Sequence, residues 1–373
     1  MMLSPLVILT ALGLISSATA QTNDATGFPN PNPQQLSAIS DRADGTLSNA
    51  PPPASLNSSS IPVFQLLAFN EHFEVAFFSS LIHNVTADLP GYNLAPAKKA
   101  EILEILDTVL AQEQLHAIHA QNTLKKFNGF VPVPCRYQFP GSTDLKSAFR
   151  LAEKFTDLVL GTLQDAAQTL ARNGDVGPVR GVASSLGQEG QQSGFYRSLL
   201  NKKPSEKPFL TTNVAPFAFS FLQQFIVPGS CPFSLGEIHL TTFPALEVLH
   251  ASGNLEPKNQ QLNFKADLSL VNGVGQWQGQ AAPKLWITYF SGQLVPISVP
   301  IHGAVWNGHK VEFGADFPFE ENVMVGLSVA ALTTRDGFKT AGEVVGATIA
   351  APGLVQVDDL VVSWDGTDMR EGH

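Results

Sequence analysis

The stretch QEQLHAIHA, residues 112–120, lies in a long run whose apolar residues recur at steps of three and four, the mark of a helix with one buried face. That face reads Leu103, Leu106, Val109 or Leu110, Glu113, His116, Ala120, Leu124 and Phe127. A carboxylate and an imidazole therefore point inward one turn apart. Three other segments show the same pattern. An earlier stripe carries Val63, Leu67, Glu71, Glu74, Phe78 and Leu81, and a later one Phe149, Glu153, Thr156, Leu160 and Leu163. The last reads Val182, Leu186, Glu189, Gln192, Tyr196 and Leu199. Each of the four predicted helices thus buries a glutamate, and an ionised carboxylate costs several kcal/mol to bury unless something compensates it.

Helix punctuation sets the architecture. The spacing predicts helices over about 61–83 and 96–127, one from Asp144 to the Asn173-Gly174 pair, and one from Pro178 to just before Pro204. The first and last connections suit antiparallel neighbours, so residues 61–204 read as a four-helix bundle, with the middle connection crossing over it. Residues 205–231, rich in Phe and Pro, read as a connector packed on the bundle. From 232 to 361 the texture changes to short runs such as KLWITYF, HKVEFGADF and NVMVGLSVAAL, separated by Gly, Asp or Pro. The expected fold class is α+β: a helical bundle followed by a C-terminal antiparallel, β-sandwich-like domain, with 362–373 as a tail. Residues 21–60, with PNPNPQQ and APPPASLNSSS, read as a disordered Pro/Ser-rich linker.

The chain has 373 residues, 44% hydrophobic and 14% charged, enough to bury a large core. A net charge of −10 and a pI near 5.3 speak against nucleic acid or an anionic membrane surface as a partner. The first 20 residues, an apolar stretch ending Ala18-Thr19-Ala20, read as a signal peptide, and no later segment has the length of a membrane span. Secretion is therefore expected. In that compartment Cys135 and Cys231 are expected to form a disulfide, and Asn57 and Asn84 stand in glycosylation sequons.

The order Glu, Glu-x-x-His, Glu, Glu-x-x-X along four helices is the pattern of carboxylate-bridged dimetal bundles, where two cations neutralise the inward acids. Through FNEHFEVAFFSSLI, LAQEQLHAIHAQNTL, VASSLGQEGQQSGFYRSLL and, in the β-rich part, KLWITYFSGQLVPISVP, the chain resembles the fungal secreted ferritin-like proteins of the late sexual development and stress-response group. The resemblance implies a ferritin-like bundle, secretion, and a role in development or stress, without an established reaction. Carried over residue by residue, it makes Glu71, Glu113, His116, Glu153 and Glu189 ligands of a di-iron or di-manganese centre, with Glu74 and Gln192 as further candidates. Gln192 departs from the histidine expected there. The rival reading is a degenerate bundle without metal, in which Arg150 pairs with Glu153 and Arg197 with Glu189. Three function classes follow: a metal-dependent oxidase, a metal-sequestering protein, and a structural protein touching cell-wall carbohydrate or protein.

Overall fold

The computed structural model describes residues 26–50, 53–249, 255–278 and 284–357. The expected signal peptide and the 362–373 tail lie outside the described residues. The helices are α1 (Pro33–Arg42), α2 (Ile61–Thr86), α3 (Pro96–Lys126), α4 (Leu145–Arg172), α5 (Val176–Leu199) and α6 (Ala215–Gln223). Pro62 and Pro96 sit in first turns, where a missing N–H costs nothing. Asp144 and Ser147 cap α4 reciprocally, each side chain accepting from the other's backbone N–H. At the other ends, Asn128 and Gly174 take left-handed conformations, and the Gly129 N–H closes α3 on the Leu124 carbonyl at 2.9 Å.

α2 packs along α3 and α4 along α5, forming two hairpins. Between them lies an aromatic core in which the Phe73 ring meets Phe155 at 5.2 Å and Phe225 at 5.1 Å. Cys135 and Cys231 are joined, tying the segment after α3 to the one after α6.

Residues 33–42 depart from the expected linker. Asn32 and Gln35 build a capping box around Pro33, so α1 forms, and its Ile39 is buried against Ala111, Leu115 and Ile118 of α3. Arg42 then holds Asp107 through two hydrogen bonds of 2.8 and 2.9 Å. Composition hid this helix because a few apolar residues, Leu36, Ile39 and Ala43, and one ion pair dock it within a Pro- and Asn-rich segment.

Strands β1 (Leu246–Leu249), β2 (Gln260–Asp267), β3 (Trp286–Ser291), β4 (Ile297–Asn307), β5 (Lys310–Phe317), β6 (Gly326–Thr333) and β7 (Thr348–Val357) form an antiparallel sheet of order β1-β2-β5-β4-β3-β6-β7. β4 is shared: its first half pairs with β3 and its second with β5, with an irregularity between His302 and Val305. Both halves bury one core, including Phe264 and Phe313 on one side and Ile287 and Leu332 on the other. The sandwich-like expectation thus takes the form of one sheet folded at a shared strand.

The outer face of β3, β6 and β7 meets the bundle, where Phe217 of α6 stacks on Phe290 at 5.7 Å. Beside it lies a buried ionic network. Glu153 of α4 accepts from Arg197 at 2.8 Å and from Lys202 at 2.8 and 2.7 Å, while the Leu327 N–H on β6 donates to Glu206 at 2.8 Å. Lys207 donates to the Leu327 carbonyl at 2.8 Å. Gly326, at φ 73°, gives Glu206 its room, since a Cβ there would collide with the carboxylate. Removing one member of such a buried set leaves an uncompensated charge. Lys202→Met is expected to lower unfolding stability in urea by about 3–5 kcal/mol. Lys98→Ala, which breaks the exposed pair with Glu101, should cost under ~1 kcal/mol. Equal losses would contradict the network's structural role.

Candidate metal centre

Three helices supply the site, each through a pair three residues apart that shares one face: Glu71 and Glu74 on α2, Glu113 and His116 on α3, Glu189 and Gln192 on α5. The four glutamates are at most 3% exposed, whereas the His116 side chain is 20% exposed. His116 Nδ1 lies 3.0 Å from Glu113 Oε2 and 3.8 Å from both Glu71 Oε2 and Glu189 Oε1. Glu71, His116 and Glu189 offer ligand atoms all within 4.8 Å of one another, and so do Glu71, Glu74 and Glu113. Glu71 is common to both sets.

Hydrogen bonds satisfy only part of this cluster. Gln192 Nε2 donates to Glu113 Oε1 at 2.7 Å, Asn70 donates to Glu74 Oε1 at 3.0 Å, and Gln112 Oε1 accepts from Gln188 at 2.8 Å and from Gln192 at 3.2 Å. Glu71 Oε2, Glu74 Oε2 and both oxygens of Glu189 are buried without a hydrogen-bond partner. Burial, reinforced by mutual repulsion, pushes the carboxyls of Glu71, Glu74 and Glu189 well above the ordinary range. The same burial and the same acids push up the Tyr196 hydroxyl, whose ring lies between Phe78 and Phe149.

This donor set fits a transition-metal ion. Several carboxylates and one imidazole are what iron, manganese or zinc take, and the orphaned oxygens are lone pairs that a cation would satisfy. Gln192 departs from the histidine of the dimetal pattern and acts as a donor that orients Glu113.

Glu153 is not part of the site. Antiparallel pairing of α4 and α5 sets Asp157 against Ser193, at 2.7 Å, and Glu153 against Arg197. Arg197 lies eight residues beyond Glu189 on α5, about 12 Å along the helix axis. Glu153 is neutralised there by Arg197 and Lys202, so the expected pairings of Arg150 with Glu153 and of Arg197 with Glu189 give way to this network. Lys202, Glu206 and Lys207 escaped the sequence reading because NKKPSEK resembles a solvated charge run. His72, next to Glu71 in sequence, faces elsewhere, near the Pro132 carbonyl and Gln121, and burial lowers its pKa to about 4. Of the sequon residues, Asn57 is exposed and Asn84 is half-buried in the last turns of α2.

Residues 59–202, spanning α2 to α5, match the ferritin-like domain family. The chain therefore carries a ferritin-like domain followed by an antiparallel sheet region, and the domain encloses a buried carboxylate and histidine group able to hold a metal ion. No curated protein matches the chain at a significant level. Among the described residues, no helix is long and apolar enough to cross a membrane.

The raised carboxyl pKa values fix the sign of a pH effect. Protons held more tightly by the folded than the unfolded chain stabilise at low pH, and that contribution is lost as pH rises above the ordinary carboxylate value near 4.5. The thermal midpoint of chelator-treated protein is expected to fall as pH rises above about 5. Glu71→Gln, which is neutral without a proton, should flatten that fall. A midpoint that responds to pH identically in both proteins would contradict the assignment.

Proposed function

We propose that the protein is a secreted metal-binding protein of the ferritin-like class, holding one or two iron or manganese ions in its bundle and serving fungal development or stress response. The observation that carries the metal reading is the convergence of Glu71, Glu113, Glu189 and His116, with three carboxylate oxygens of Glu71 and Glu189 buried and unpartnered. Glu71, Glu113, Glu189 and the imidazole of His116 would hold the metal, with Glu74 beside them. Such an ion, once bound, would supply Lewis-acid and one-electron redox chemistry at a site whose carboxylates are buried and whose His116 side is open. Around it the chain's own residues have defined tasks. Gln192 orients Glu113, Asn70 orients Glu74, and the Gln112 side chain links Gln188 to Gln192.

Secretion is supported by the apolar N-terminal 20 residues, the two sequons and the disulfide between Cys135 and Cys231. The developmental assignment rests on the resemblance of the helix and strand segments quoted above. A second reading, a metal-free scaffold contacting cell-wall carbohydrate or protein, is favoured by one observation: Gln192 stands where a second imidazole would complete the pattern.

Elemental analysis decides between the two. Wild-type protein is expected to carry between about one and two equivalents of iron, manganese or zinc, and Glu113→Ala combined with His116→Ala to lose them while remaining folded. Trace metal in a folded wild type, after growth and reconstitution with each ion, would establish the scaffold reading instead.

A further inference from the structure

Next to the carboxylate cluster the bundle holds a half-open cavity of about 490 Å³, within the roughly 300–1,000 Å³ of small-molecule sites. Each helix of the bundle contributes to its apolar body: Phe64 and Leu67 from α2, Leu115 from α3, Leu163 from α4 and Val182 from α5. Its polar end reaches Glu71 and His116, two of the residues assigned above to the metal. The outer wall is residues 43–48, the segment that follows α1. That wall is held in place by the docking of Ile39 on α3 and by the Arg42–Asp107 pair. The docked helix thus has a consequence beyond packing, because it turns a groove between α3 and α5 into a pocket.

The lining restricts what can occupy it. Where Phe64, Leu67, Leu115, Leu163 and Val182 line it, the cavity excludes strongly hydrated groups, since they would lose water without replacement hydrogen bonds, whereas Gln112, His119 and Gln188 supply polar contacts elsewhere on its wall. At the inner end the His116 ring, 20% exposed and with Nδ1 turned to Glu113 Oε2, is the polar group of the metal set that a bound molecule meets. An anion would in addition give up its hydration on entering the apolar body. We propose that this cavity binds a small uncharged alcohol or amine with an apolar, ring-sized body, its hydroxyl or amino group directed at His116. This deepens the metal-site reading and rests on it for what the bound molecule would face, whereas binding itself needs only the cavity.

The probe is 1-aminoanthracene, an uncharged fluorescent amine, titrated into metal-free and metal-loaded full-length protein, with anthracene-1-carboxylate as its anionic counterpart. Saturable binding of the amine to wild type is expected, with the carboxylate at least tenfold weaker. Ser185→Trp, which fills the cavity from α5 at a residue outside the metal set, should weaken amine binding at least tenfold while leaving metal content unchanged. Val182→Phe provides the same test should the first variant fail to fold. No saturable binding to wild type, equal binding of the carboxylate, or undiminished binding in a folded filled variant would each overturn the proposal. Because binding to the metal-free protein is read separately from metal content, failure of the metal reading leaves a different signature: probe binding persists while elemental analysis finds no metal.

Discussion

Charge taken out of water must be met by charge, and this constraint organises the bundle. Two groups of acids are buried in and beside the same bundle, Glu153 and Glu206 in one and Glu71, Glu74, Glu113 and Glu189 in the other, and they are neutralised differently. Glu153, with Arg197 and Lys202, forms a closed set with its own cations, and Glu206 extends the network to the backbone of β6. Replacing such a set by apolar residues often leaves stability unchanged, so its value here is better read as specificity: it fixes how the sheet sits on the helices. The other group, Glu71, Glu74, Glu113 and Glu189, has one imidazole and several unsatisfied oxygens. Without added cations it must take up protons, which is the direction in which three of its carboxyls are displaced. An interior that supplies cations to one cluster and withholds them from its neighbour about two helical turns away has a place for an external ion.

Much of this was legible in the sequence. Pro62, Pro96, the Asp144 cap and the Asn-Gly endings mark the helices because each acts locally, through a missing donor, a capping oxygen or a left-handed residue. The inward direction of Glu71, Glu113, His116 and Glu189 follows from helical periodicity alone. Depth does not. Glu153 lies on the right face of α4 but at the wrong level, and its level is set by Arg197 and Lys202, 44 and 49 residues further along the chain. Periodicity assigns a face and leaves the axial offset between helices undetermined.

The N-terminal segment fails to be legible for a different reason. Its Pro and Asn content reads as disorder, yet Asn32, Pro33 and Gln35 are a helix-start signal in miniature. The docking rests on Ile39 and Ala43, with Leu36 and Leu47 packed beside them, and on one bidentate ion pair, a set too irregularly spaced to register as a hydrophobic pattern. The sheet shows the reverse: its strands are plain in the alternating and apolar runs, whereas the sharing of β4 between two halves depends on the irregularity near His302, which composition does not reveal.

The carboxylates and imidazole between α2, α3 and α5 are placed to hold an external cation. The most direct measurement is anomalous diffraction from crystals soaked in manganese. An anomalous peak is expected within bonding distance of Glu71, Glu113, His116 and Glu189, with none at Glu153. A well-ordered structure in which those carboxylates surround no peak, or in which manganese binds only at surface acids, would contradict this assignment.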